Sequence, residues 1–130
     1  MNTTLHAGLH IAKFELCREL YELSGWTWTD YYYTIFEYRP QDVVVLLGKA
    51  KDGLHIPAYE IGYLIERLPQ KVNGARLVLA GMPMSGRWGC AYLYGLNISF
   101  DASQIADTPQ DAACSLAIVL WRQGILVRQQ

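Results

Sequence analysis

The sequence predicts an α+β protein, a three-layer α/β/α sandwich with a mainly antiparallel sheet of four to five strands and three helices. Three observations predict it. Apolar residues recur at helical spacing in three segments. Aromatic and β-branched residues, which suit a pleated surface, fill the stretches between them. Short turns join those stretches in pairs, as antiparallel neighbours require. The expected order is helix, two strands, helix, two or three strands, helix.

The first helix is predicted by Leu5, Leu9, Ala12, Leu16, Leu20 and Leu23, one stripe of a 3.6-residue period. Thr3 or Thr4 is placed to cap its start, and Gly25 to end it in a left-handed conformation. Residues 26–38 are dominated by rings and β-branched side chains and read as a strand, closed by the turn Arg39-Pro40-Gln41-Asp42. Residues 43–47 form a short unbroken apolar run ending at Gly48, which implies cover on both faces of the sheet. After the turn Lys51-Asp52-Gly53, Pro57 is expected to open a second helix whose stripe is Ile61, Leu64, Ile65 and Leu68, stopped by Pro69. Gly74 precedes a strand at 76–80. The loop at 81–86 leads to a strand at 87–94, and beyond Gly95 residues 96–100 suit a fifth strand. Thr108-Pro109-Gln110-Asp111 is the clearest helix start, with Ala113, Leu116, Ala117, Leu120 and Trp121 as its apolar face and Gly124 at its end.

At 130 residues, with 52% apolar and 18% charged, the chain suits one folded domain over 1–130 with one core. The formal charge of −1 comes from 11 basic and 12 acidic residues without a run of either sign. Nucleic acid is therefore not expected as a partner, because phosphate neutralisation needs a basic excess or stripe. Cys17, Cys90 and Cys114 are far apart and embedded in apolar segments, which reads as free thiols in a reducing compartment. The first twelve residues lack the basic-then-apolar pattern of a secretory signal, and no apolar run is long enough to cross a bilayer. A cytoplasmic protein without membrane contact is expected.

Three segments carry a family resemblance. They are Leu20-Tyr21-Glu22-Leu23-Ser24-Gly25-Trp26, then Pro57-Ala58-Tyr59-Glu60-Ile61-Gly62-Tyr63-Leu64, then Ala106-Asp107-Thr108-Pro109-Gln110-Asp111-Ala112-Ala113-Cys114 with its continuation to Gln123-Gly124-Ile125-Leu126. Together they resemble small phage and prophage proteins of the α/β/α-sandwich type. The resemblance covers the three helices and implies a mobile-element origin. It also implies an accessory role, such as blunting host defence by capturing a host component or a signal molecule. It supplies no active-site residues.

Candidate chemistry is sparse. His6, His10 and Cys17 fall along one side of the first predicted helix, a spacing open to a transition metal, but no further ligand is supplied and no metal or cofactor is expected. Cys90 and His55 are a candidate nucleophile and base, yet no spacing forces them together. Ser85 lacks the glycine two residues earlier that a nucleophile elbow uses. Asp101, Asp107 and Asp111 cluster before the last helix, where acids favour its dipole. No catalytic residue is assigned.

The rings are more suggestive. Strand residues alternate faces, so Trp26, Trp28, Tyr31, Tyr32, Tyr33, Tyr38, Trp88, Tyr92 and Tyr94 are too many to point inward together. Trp28, Tyr31, Tyr33, Arg87, Trp88 and Tyr92 are the candidate binding residues, with Arg87 as a partner for phosphate. The competing structural reading is that these rings complete the core or a homodimer interface. The expectation is a non-enzymatic binding protein, a homo-oligomer (dimer), that engages a host protein or a nucleotide-like small molecule through an aromatic strand surface. The alternative is a small hydrolase or transferase with a cleft beside the loop at 81–89.

Overall fold

In a computed structural model that describes residues 2–3, 10–94, 97–98 and 103–128, the strands divide between two sheets. The first contains β1 (Asn2–Thr3), β2 (Tyr31–Ile35), β3 (Asp42–Leu47) and β4 (Leu54–Pro57), in the order β1-β3-β2-β4. The second contains β5 (Lys71–Val72), β6 (Ala75–Met82), β7 (Arg87–Tyr94), β8 (Asn97–Ile98) and β9 (Gln104–Ala106). One edge of β7 pairs along its length with β6, and the other is shared by β8 and β9. The helices are α1 (Phe14–Ser24), α2 (Ile61–Arg67) and α3 (Pro109–Arg122). This is the α+β class that the sequence predicts, with every pair antiparallel except β1 beside β3.

The layering differs from a single sheet flanked by helices. Strands of each half of the chain pair only among themselves, because short turns satisfy each hairpin locally. The helices link the two sheets. α1 packs on β4, α3 packs on β6, β7 and β9, and α3 also packs on α1 and α2. One contiguous cluster of buried side chains runs from Ile11 and Phe14 through Tyr33, Tyr59 and Leu64 to Tyr92, Leu116 and Leu120.

Three sequence expectations shift. Helix α1 begins only at Phe14, and residues 4–9 of the predicted stripe lie outside the described residues. Before it, Ile11 bridges Glu60, Ala12 N–H donates to Tyr59 O (2.9 Å), and Ile61 N–H donates to His10 O (3.1 Å). A backbone pairing with another segment has overridden the local helical period. Pro57 closes β4 instead of opening α2. It sits on an edge strand, where its missing N–H leaves no ladder bond unmade. The aromatic strand is shorter than its composition suggests, covering Tyr31–Ile35.

Four strands, β1, β4, β5 and β9, are not among those the sequence predicts, and Thr3 lies in β1 where a helix cap was expected. Asn73 (φ 51°) and Gly74 (φ 84°) form the tight two-residue turn between β5 and β6, and Asn-Gly is the signature of that turn. β9 is short and mixed in polarity, so it carries little local signal. The strand expected at 96–100 is represented by β8, and the remainder of it lies outside the described residues.

Candidate ligand site

Helices α1 and α3 run side by side in one direction. At their starts, Lys13 N–H donates to Asp111 Oδ1 (2.8 Å), and Asp111 lies in the first turn of α3. At their ends, the rings of Trp26 and Trp121 meet edge to face at 5.8 Å. Arg122 near the end of α3 pairs with Glu19 of α1. The end of α2, at Arg67, comes to the same place, and a cavity of about 510 Å³ opens there.

Each wall has a local cause. Gly25 adopts φ +70° and donates its N–H to Tyr21 O (2.8 Å), which ends α1 and turns Trp26 towards α3. Beyond α3, Gly124 is left-handed, and the N–H groups of Ile125 and Leu126 both donate to Leu120 O (2.9 and 3.2 Å). That reversal lays Leu126, Val127 and Arg128 across the end of α1. Arg128 then donates from Nε to Leu23 O and from Nη2 to Glu22 O, each at 3.2 Å. Those carbonyls lack donors within the helix, and a cation there also meets the negative end of the helix dipole.

The main chain of Trp26 is fixed at two points. Its N–H donates to Ser24 Oγ (3.1 Å), and its carbonyl accepts from Tyr59 Oη–H (2.6 Å). Burial pushes the Tyr59 hydroxyl well above its ordinary pKa, so it stays a donor. The Tyr63 ring meets Trp26 at 6.3 Å and stacks on Tyr59 at 5.6 Å. The Arg67 guanidinium lies 5.0 Å from the Tyr63 ring centre and 5.8 Å from that of Trp26. Among the described residues, no carboxylate pairs with Arg67 or Arg128, and Trp121 Nε1 has no acceptor.

The residues singled out in the sequence are not brought together. Tyr33 is wholly enclosed, its hydroxyl donating to Ala12 O (2.6 Å) and its ring packed on Phe14. Tyr92 is equally buried and donates to Pro69 O (2.7 Å). Both point to the core, because strand alternation puts them on the helix-facing side, and neither can serve an outer surface. Tyr31 is half-buried in β2. Trp28 is 81% exposed and lines a separate hollow of about 320 Å³ with Asp30, Glu60, Tyr63 and Glu66. Arg87 and Trp88 belong to the other sheet, at a shallow apolar hollow by the β6–β7 turn. Arg87 is already paired with Asp107 (3.5 Å).

The components of the enzyme alternative are likewise separate. Cys90 is fully buried and burial pushes its thiol up to about 12, so no thiolate nucleophile forms near neutrality. His55 is on β4, in the other sheet, with its ring edge-on to Tyr32. Ser85 Oγ accepts from Arg87 N–H (3.2 Å) inside a tight turn, and Gly81 and Gly89 are paired within β6 and β7, so the segment 81–89 is a hairpin. His6 and Asp101 lie outside the described residues, and His10 precedes α1, so the helix expected to align His6, His10 and Cys17 is not present at His10. Among the described residues, no three potential metal ligands gather, and no helix is long and apolar enough to cross a membrane.

Of the cavity residues, Trp121 was legible as part of an apolar helical stripe and Trp26 as the residue after a helix-ending glycine. Arg67 and Arg128 carried no local signal, since only tertiary packing joins them. Comparison with protein-family models, with curated proteins and with solved structures finds no match.

Proposed function

We propose that this chain is a non-enzymatic binding protein whose working site is the cavity at the helix C-terminal ends, and that it holds a small ligand bearing a flat ring. The observation that carries this reading is the fixed ring wall. The Trp26 main chain is tied at both its N–H and its carbonyl, and its ring packs against Tyr63 and Trp121 beside a cavity of about 510 Å³. That volume is within the usual range for small-molecule sites, and rings held in place lose little freedom when a ligand stacks on them. Stacking of a base-like ring on an aromatic side chain contributes about 1–3 kcal/mol. The likeness of the helices to phage accessory proteins rests on the sequence alone, and it is in keeping with capture of a signal molecule.

A protein partner is the second reading, favoured by one feature. The β6–β7 turn leaves Met84 99% exposed beside an apolar hollow lined by Met82, Pro83 and Trp88.

Thermal denaturation against a panel of nucleosides and indoles separates the two. A ring ligand at saturating concentration should raise the melting temperature of the parent chain and of Trp88→Ala by several degrees, and should leave Trp121→Ala unmoved. Loss of the shift in Trp88→Ala with retention in Trp121→Ala would transfer the site to the hairpin. No shift from any ring compound would end the small-ligand reading.

A further inference from the structure

We infer that the ligand of this cavity carries an anionic group, a carboxylate or a phosphate, received by Arg67 and Arg128. The inference rests on the reading of the cavity as a ring-binding site and adds the charge of what enters it. Two guanidiniums from separate elements line the cavity, and among the described residues no carboxylate does. The neighbouring hollow has the opposite character, with Asp30, Glu60 and Glu66 on its walls and, among the described residues, no basic side chain. The two hollows adjoin through the contact of Tyr63 with Trp26 and Arg67. Charge is therefore sorted between them, and an anion is directed to one side.

The helix ends oppose an anion, since each C-terminus carries roughly half a negative charge. Two full positive charges outweigh that. Arg128 already answers the end of α1 through Nε and one Nη, which leaves further N–H groups of its fork for a ligand. Arg67 lies against two rings and spends no charge on an acid among the described residues. A guanidinium already placed against two rings loses little freedom when it grips two oxygens of a carboxylate or phosphate. Because Arg128 also ties the segment after α3 to α1, an anion bound to it would hold that wall of the cavity closed.

The experiment is isothermal titration calorimetry with matched rings that differ in charge, adenosine against adenosine 5′-monophosphate and benzamide against benzoate. The charged member of at least one pair should bind roughly tenfold or more tightly than the neutral one, the scale of a charge-assisted hydrogen bond. That preference should shrink when salt is raised from about 0.05 to about 0.5 M. Preference in the phosphate pair alone assigns a phosphate, preference in the benzoate pair alone assigns a carboxylate, and preference in both supports the shared chemistry. Arg67→Gln should cut the preference to the part that Arg128 supplies, and an undiminished preference in that variant would overturn the role given to Arg67. Arg128→Gln loosens a helix end, so Arg128→Lys, which keeps the charge, serves as its folded control and should retain part of the preference. Neutral rings binding as tightly as charged ones would overturn the anion assignment and leave the ring site standing. If neither member of either pair binds, the ring site fails and this inference fails with it.

Discussion

At the scale of single residues, tyrosine hydroxyls tie the backbone segments together. Tyr33 donates to Ala12 O, Tyr59 to Trp26 O and Tyr92 to Pro69 O, each across more than twenty residues of chain. Burial raises the pKa of all three above the ordinary 10.0, so the folded chain holds their protons more tightly than the unfolded chain does. The sign follows from linkage. Their contribution to stability is complete below pH 10.0 and is lost as pH rises towards the folded values. An absorbance titration of tyrosinate should therefore show two phases. The buried three ionise in the later phase, in step with loss of circular dichroism. A single smooth phase covering all nine tyrosines, with the fold intact, would contradict their enclosure.

Ring count was a partial guide to surface. Trp28, Tyr38 and Tyr94 are exposed, in line with too many rings to point inward together, yet Tyr32, Tyr33, Tyr59 and Tyr92 are buried, and every one but Tyr32 ties a hydroxyl across distant segments. Tyr32 is spent locally, donating to Thr27 O (2.8 Å) with Lys49 over its ring. A tyrosine can finish a core when a backbone carbonyl waits at the right depth, and that depth is a tertiary property.

At the scale of elements, local chemistry predicted α3 closely and α1 only in part. Thr108 Oγ1 accepts from Asp111 N–H (3.1 Å), and Pro109 occupies the first helical position, as the sequence implies. Asp111 does something the sequence does not disclose. Its carboxylate also accepts from Lys13 N–H, so one acid serves the starts of α1 and α3 together. Thr108→Ala should cost about 1 kcal/mol, the usual effect of losing a cap. Asp111→Ala removes the first-turn charge and the tie to α1, and should cost more, about 2 kcal/mol. Urea denaturation of the two variants tests this. Equal costs, or a larger cost at Thr108, would mean the bridge to Lys13 contributes nothing.

The same contrast explains the other element boundaries. Residues 10–12 have a helical pattern of apolar positions but are held extended by Tyr59, Glu60 and Ile61, and no periodicity encodes that partner. Asn73-Gly74 carries a local signal for the β5–β6 hairpin, because residues tolerant of positive φ make that turn, although Gly74 is taken above only as the residue before a strand.

At the scale of the whole molecule, helix directions create the site. Parallel packing of α1 and α3 gathers their C-terminal ends with that of α2, and the reversal after Gly124 closes a cavity over them. The α+β class and the antiparallel pairing were legible in the sequence. The division into two sheets was not, because it depends on which separated hairpins meet. Trp26, Arg67, Trp121 and Arg128 are spread over more than a hundred positions, so only the fold makes them neighbours.

The four tryptophans offer a direct reading of where a ligand sits, because each gives one indole N–H signal in a nitrogen-15-labelled sample. Titration with adenosine 5′-monophosphate should move the signals of Trp26 and Trp121 and leave those of Trp28 and Trp88 in place. Movement of Trp28 or Trp88 with Trp26 and Trp121 unchanged would place the ligand elsewhere and contradict the assignment of the cavity.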